Sequence, residues 1–350
     1  MLVLVSRRLG GVTDVEKAIV DAGARVDAAP LWNAADIHRH GAEAAIFILG
    51  AVEPFGGEVL EALPRCQAIV RRGVGIDNVD VDTASRLGIV VANVPDASVE
   101  EVSDHALTLL LNLERQTSRI DRAVHDGVWI REAQAIQAMR TGVRRFSELT
   151  LGVVGLGRIG SALARKAGGI YGRVIAADPA VDAWSAAQRG VALVELDELL
   201  ATADHVSLHT PLDADTRHLI GADKLRLMRA GAILVNCSRG GLVDESALIE
   251  AVRGGRLAGA GLDATAHEPL PADDPLLQTD RILLTAHSAA WSTTAEADLV
   301  RRSVEAAVDL VKGRRPASVV NPQVFQSPAL RMPSLRQGAA HVDVQGGPGV

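Results

Sequence analysis

The apolar positions of this chain fall into two successive series of short runs, each interleaved with helical patterns. Residues 2–5, 45–49, 68–70 and 89–92 form the first series. Short uninterrupted apolar runs predict strands buried on both faces, as in parallel sheets. Residues 14–22 carry a helical pattern closed by Gly23. Ser98, with Glu101 three residues later, forms a capping-box pattern, and Val102, Ala106, Leu109, Leu110 and Leu113 follow at helical spacing. This predicts a long helix linking the two series. Residues 151–154, 174–177, 205–208, 233–235, 258–262 and 282–284 predict six more strands, with helices between them such as 159–167 and 245–252. A last helix over 294–311 is expected to return to the first series. From Gln323 the chain is rich in Pro, Gly, Gln and Ser, which predicts a mobile tail. Alternation of strand and helix means an α/β protein.

Composition narrows the function classes. At 350 residues the chain is long enough for two domains, and 48% hydrophobic content supplies their cores. The net charge of −7, with no basic stripe, argues against a nucleic-acid binder. Cys66 and Cys237 are too far apart in sequence to suggest a disulfide framework, form no metal-binding pattern and fit a reducing compartment. The apolar start is too short for a signal peptide, and no run has membrane-spanning length, so a cytoplasmic protein without membrane partners is expected.

Gly155-Leu156-Gly157-Arg158-Ile159-Gly160 matches G-x-G-x-x-G, directly after the strand at 151–154 and at the start of a helix. In that context Gly155 allows the tight turn, Gly157 allows a pyrophosphate to approach the backbone, and Gly160 allows close helix–strand packing. The helix amino terminus then offers N–H groups and a positive dipole to phosphates. Asp178, eighteen residues beyond Gly160, ends the next predicted strand. A carboxylate there accepts from ribose hydroxyls and repels a 2′-phosphate, which favours NAD over NADP.

Arg239, Glu268 and His287 each sit at or just past the carboxyl end of a late predicted strand, where open α/β sheets bind ligands. Reduction of a 2-keto acid needs a guanidinium fork for the carboxylate and carbonyl, and a proton donor that works near neutral pH. A carboxylate beside the histidine raises its pKa. Each residue also has an ordinary explanation: a strand cap, a loop carboxylate before a proline, a structural histidine. Their order after the dinucleotide fingerprint favours the chemical one.

With these residues assembled, the chain resembles the D-isomer-specific 2-hydroxyacid dehydrogenase family over residues 1–322. The carrying stretches are Arg72-Gly73-Val74-Gly75-Ile76-Asp77-Asn78, Asn93-Val94-Pro95, the glycine fingerprint, His209-Thr210-Pro211-Leu212, Asn236-Cys237-Ser238-Arg239-Gly240-Gly241 and the Glu268 and His287 loops. Val94-Pro95-Asp96-Ala97-Ser98-Val99-Glu100-Glu101 and the long segment 127–152 are similar to the C-terminal-binding-protein-like branch, near the phosphoglycerate dehydrogenases. The resemblance implies two Rossmann-like domains: an NAD-binding domain (98–292) inserted in a flavodoxin-like substrate domain (1–97 with 293–322), followed by a flexible tail (323–350). It implies hydride transfer between nicotinamide and a small D-2-hydroxy or 2-keto acid, of the hydroxypyruvate/glyoxylate reductase or phosphoglycerate dehydrogenase type, in a homodimer formed through the linking helices. The alternative is an NAD(H)-responsive dimeric scaffold, corepressor-like, with little turnover.

The implied roles follow. Arg239 orients substrate, His287 exchanges the proton, Glu268 partners His287, and the amides of Val74 and Gly75 hold the substrate carboxylate. Asp263 bonds the nicotinamide amide. The dinucleotide is further lined by Thr108, Gly155, Leu156, Gly157, Arg158, Ile159, Gly160, Asp178, His209, Thr210, Pro211, Thr216, Cys237, Ser238, Arg239, His287, Ala289 and Ala290. Cys237 is read as a small packing residue, not a nucleophile. No metal is expected. The chain departs from the family pattern at Thr285-Ala286-His287, at Ala264-Thr265-Ala266 and at Ala290-Trp291, which bears on pocket shape.

Overall fold

The computed structural model describes residues 1–9 and 16–336. The chain divides into two compact units. One comprises Met1–Ala97 and the chain from Ser292 onward, and the other is Ser98–Trp291.

The first unit is built on five parallel strands: β1 (Leu2–Ser6), β2 (Arg25–Ala29), β3 (Ile46–Leu49), β4 (Ala68–Arg71) and β5 (Val90–Asn93). Their order is β2-β1-β3-β4-β5, the flavodoxin-like arrangement. Strand β2 has no counterpart among the predicted strands. It is an edge strand whose sequence, Arg-Val-Asp-Ala-Ala, is largely exposed or half-buried, so no apolar run betrays it. The first helix is Lys17–Asp21; its expected start at residues 14 and 15 lies outside the described residues. One face of the sheet packs Val3, Val5, Ile46 and Val70 against Val304, Ala307 and Leu310 of helix Thr293–Val311. The other face buries Phe47, Phe55, Leu60 and Ile69.

The expected tail is corrected over residues 323–336. Val324, Phe325, Leu330, Met332 and Leu335 are buried in the same core as helix Thr293–Val311. Arg331 caps the carbonyls of Leu63 and Cys66 at 2.9 and 2.8 Å, and Arg315 lies 4.3 Å above the Phe325 ring. Composition pointed to solvent because the segment's few apolar residues are spaced among Pro, Ser and Gln. All but the exposed Ala329 nonetheless find a place in the core. Residues 337–350 lie outside the described residues.

The second unit carries seven parallel strands: β6 (Thr150–Val154), β7 (Arg173–Ala177), β8 (Ala192–Leu193), β9 (His205–Leu208), β10 (Ala232–Asn236), β11 (Leu257–Leu262) and β12 (Ile282–Leu284). The order β12-β11-β10-β9-β6-β7-β8 is the 3-2-1-4-5-6 dinucleotide-binding sheet with one further edge strand. Only the two-residue β8 escapes the sequence pattern. Helix Val99–Arg115 buries Val102, Ala106, Leu109 and Leu113. It packs closely on β11, where a Cβ at Gly261 would lie 3.1 Å from the Leu109 Cβ. The capping-box expectation fails at Ser98: its ψ of 27° is not extended, and its side chain makes no capping bond. Short helices Thr117–His125, Val128–Arg131 and Ala133–Met139 follow, leaving Ile130 90% exposed.

At the amino end of this sheet lies a buried polar cluster. His205 bonds Glu114 through Nε2 at 2.9 Å and the Tyr171 hydroxyl through Nδ1 at 2.7 Å. Arg144 pairs with Glu114 at 2.8 Å and Asp204 at 3.2 Å. Asp204 in turn accepts the Thr150 N–H at 2.9 Å, at the start of β6.

Candidate active site

Strand β6 runs into a turn that only glycine tolerates. Gly155 has φ 89°, and a Cβ there would sit 2.6 Å from the His209 carbonyl. A Cβ at Gly160 would sit 1.9 Å from the Gly155 oxygen, whereas one at Gly157 meets nothing within 4 Å. The turn is therefore sterically closed behind and open in front. Helix Arg158–Ala167 starts there with no side-chain cap. At the end of β7, Asp178 accepts the Leu156 N–H at 2.7 Å and the Ala180 N–H at 2.8 Å. At the end of β9, His209 bonds Ser207 at 2.9 Å through Nε2, while its buried Nδ1 has no partner among the described residues. Burial pushes its pKa down to about 4, so it is neutral. An open glycine turn, uncapped helix N–H groups and an unsatisfied ring nitrogen beside them suit a dinucleotide.

The loops after β10, β11 and β12 converge. Asp263 is buried at the end of β11. Its carboxylate accepts Thr285 Oγ1 at 2.6 Å and the N–H groups of Ser288 and Ala289 at 2.9 and 3.0 Å. The His287 N–H donates to the Asp263 carbonyl at 2.9 Å, and His287 adopts φ 50°. These bonds turn the imidazole toward the β11 loop, where Nδ1 lies 2.7 Å from Glu268 Oε2. Glu268 is held through Oε1 by the Thr265 N–H at 3.0 Å. A Cβ at Gly240 would strike the Thr265 carbonyl carbon at 1.9 Å, so glycine next to Arg239 brings the β10 loop against this one.

The electrostatics follow from that geometry. The hydrogen bond to Glu268 raises the pKa of His287, against burial, and the nearby Arg239 charge lowers it by a lesser amount. Burial raises Glu268, but its bonds to His287 and Thr265 and the charges of His287 and Arg239 outweigh it and leave the carboxyl below its ordinary value. Arg239 Nη1 donates to the Ser238 carbonyl at 2.7 Å. Arginine, glutamate and histidine from three distant loops thus share one local field.

Comparison with known proteins identifies the family. The model of the D-isomer specific 2-hydroxyacid dehydrogenase NAD-binding domain matches residues 107–289. The chain belongs to this family. It is 39% identical to a glyoxylate reductase of Korarchaeum cryptofilum over 78% of this chain and 82% of that one. It is 40% identical to a D-3-phosphoglycerate dehydrogenase of Mycobacterium bovis over 73% of this chain, but spans only 46% of that longer relative. A D-lactate dehydrogenase from Aquifex aeolicus, solved with NAD and lactic acid, superposes with a TM-score of 0.76 at 26% identity, covering 89% of this chain and 96% of that one. NAD is the cofactor of this dehydrogenase, and the scaffold alternative is not favoured by relatives that are named enzymes.

Within this family member, the other sequence-derived residues fall in different places. Ser238 and Thr216 bond the carbonyls of Leu208 and Pro211 at 2.9 and 2.8 Å, which fixes the loops beside the glycine turn. Thr108 is spent on its own helix, bonding the Asp104 carbonyl at 2.8 Å. Cys237 is buried and burial raises its thiol pKa, so it is not a thiolate. Ala289 is buried and Ala290 half-buried. Val74 and Gly75 belong to the first unit, in the loop after β4; Asn93 donates to the Val74 carbonyl at 2.9 Å, and neither amide donates to an acceptor among the described residues.

Sequence reasoning missed two residues. His105, on helix Val99–Arg115, lies 3.0 Å from Thr285 Oγ1 and 3.6 Å from Asp263 Oδ1. Its signal was a histidine three residues past Val102, on the edge of the helix's apolar face. Glu245 accepts the Ala266 N–H at 2.7 Å and so braces the Glu268 loop; no spacing relates the two. Among the described residues no cluster of His, Cys, Asp and Glu is arranged to hold a metal.

Proposed function

We propose that this dehydrogenase reduces small, unphosphorylated 2-keto acids, with Arg239, Glu268 and His287 as its catalytic residues. The observation that carries the reading is the 2.7 Å bond from His287 Nδ1 to Glu268, which leaves Nε2 without a partner among the described residues. Bound NADH supplies the hydride. Arg239 grips the keto oxygen and carboxylate with its fork. Nε2 gives its proton to the keto oxygen as that oxygen becomes a hydroxyl, and Glu268 stabilises the imidazolium beforehand. Asp263 receives the carboxamide, and Asp178 exchanges a backbone bond for the ribose hydroxyls.

A phosphorylated substrate needs further cations, and Arg72 is committed elsewhere. It is buried, donating to Ser303 at 3.2 Å and lying 3.8 Å from Glu16. Trp129, 59% exposed, and Ile130 on the excursion after helix Val99–Arg115 support a homodimer through that region. A cytoplasmic location fits the two free cysteines.

The test follows NADH oxidation with glyoxylate, hydroxypyruvate, pyruvate and phosphohydroxypyruvate. Turnover is expected with the unphosphorylated acids. Preference for phosphohydroxypyruvate refutes the substrate class, and binding of NADH without turnover of any of them refutes the enzymatic reading.

A further inference from the structure

The Asp263 carboxylate is approached from helix Val99–Arg115 by a histidine that the proposed chemistry does not use. The His105 side chain is 23% exposed and that of Asp263 only 1%. His105 Nε2 lies 3.0 Å from Thr285 Oγ1, just past β12, and Thr285 Oγ1 lies 2.6 Å from Asp263 Oδ1. A hydrogen count fixes the direction of both bonds. A threonine hydroxyl has one hydrogen, and a carboxylate only accepts. A length of 2.6 Å is that of a charge-assisted bond from a hydroxyl to a carboxylate. The Thr285 hydrogen therefore points at Asp263, and the Thr285 oxygen accepts from His105. Nε2 of His105 carries a hydrogen, and the three groups form a one-way chain that ends on Asp263.

The same count on Asp263 shows what that chain controls. Oδ1 accepts Thr285 and the Ser288 N–H at 2.9 Å, and Oδ2 accepts the Ala289 N–H at 3.0 Å. A carboxylate has about four acceptor positions. One position, on Oδ2, is left for a ligand. A hydroxyl rotor alone restrains a carboxylate weakly, because its hydrogen turns freely. With His105 donating to the oxygen, the Thr285 hydrogen has one direction, and the two bonds polarise and strengthen each other. Holding Oδ1 in this way fixes the carboxylate plane, and with it the direction of the open position on Oδ2.

We propose that His105 is a positioning residue for the cofactor: acting through Thr285, it orients Asp263 to recognise the amide N–H of the nicotinamide carboxamide. The proposal rests on the assignment of that carboxamide to Asp263 and is independent of which keto acid is reduced. Every group in the chain of bonds lies within the second unit.

The experiment is calorimetric titration of the full chain with NADH and with its reduced 3-acetylpyridine analogue, in which a methyl ketone without N–H replaces the amide. The native protein is expected to bind NADH about tenfold more tightly than the analogue. His105→Leu should remove most of that preference by weakening NADH and leaving the analogue nearly unchanged. His105→Gln, whose Nε2 matches the histidine Nε2 in distance from the backbone, should restore it. Thr285→Val should reproduce the loss, and the double variant His105→Leu/Thr285→Val should lose no more than either alone. If His105→Leu does not fold, His105→Asn replaces it, because its shorter amide stops short of Thr285. A native protein without preference overturns the carboxamide assignment and this proposal with it. A native preference that survives in His105→Leu overturns the role of His105 alone. Equal weakening of both cofactors also overturns it, because His105 then only supports the fold.

Discussion

The second unit uses the same pair of side chains twice, at opposite ends of one sheet and with opposite results. At the carboxyl end His287 meets Glu268 at 2.7 Å, with the side chains 42% and 36% exposed. At the amino end His205 meets Glu114 at 2.9 Å, with exposures of 0% and 4%. The exposed histidine has its pKa raised by its carboxylate. The buried one has its pKa lowered: desolvation outweighs the carboxylate, and Arg144 adds to it. A hydrogen-bonded histidine–glutamate pair is therefore not in itself an acid–base device. What separates the two is water and the second ring nitrogen. His205 spends Nδ1 on Tyr171, whereas the Nε2 of His287 has no partner among the described residues.

The largest effect that sharpens this contrast is expected at Arg239. Arg239→Ala should lower kcat/KM for the keto acid roughly a thousandfold while NADH binding, read by fluorescence, persists. Loss of both together would mean that the residue holds the fold and not the substrate. Next comes the buried pair. Glu114→Ala strips Arg144 and His205 of their shared carboxylate and should cost about 3 kcal/mol of stability, read from the urea midpoint, with turnover per folded molecule retained.

The same pair makes the fold acid-sensitive. The carboxyl of Glu114 is held down to about 2 against an ordinary 4.5, so its contribution is present above pH 4.5 and is lost as pH falls toward 2. His205, lowered from 6.5, adds a loss that begins below that value, because the unfolded chain takes up a proton the folded one refuses. Thermal melts between pH 7 and 4 should fall for the native protein and fall less steeply for His205→Asn.

At the carboxyl end the sign reverses. The raised pKa of His287 keeps it protonated to higher pH, so reduction should fade only as pH rises through that value. Glu268→Gln should move the fade to lower pH and slow reduction at neutral pH by on the order of tenfold to a hundredfold. An unmoved profile removes Glu268 from the role. The smallest effect is at Asp178: its replacement by Ala should narrow the preference for NADH over NADPH by about tenfold, seen as the ratio of the two KM values.

Much of this was legible beforehand. Strands buried on both faces announce themselves as apolar runs, and so β1, β3, β4, β5 and all but one strand of the second sheet were found. The misses are the places where burial is partial. Strand β2 is an edge strand largely open to solvent, β8 is two residues long, and 323–336 contributes isolated apolar side chains to a core assembled from elsewhere. In the candidate site, Gly155, Gly157 and Gly160 were readable because steric demands on a turn act locally. His105 and Glu245 were not, because each acts on a loop more than twenty residues away along the chain.

Local chemistry alone determined the alternation of elements, the glycine turn and the presence of an arginine, a glutamate and a histidine at strand ends. Those follow from interactions between residues close in the chain. Which histidine–glutamate pair faces water, and which is sealed beneath the sheet, only the tertiary structure decided. Proton affinity depends on desolvation and on neighbours brought in from distant segments, and neither exists until the sheet has assembled.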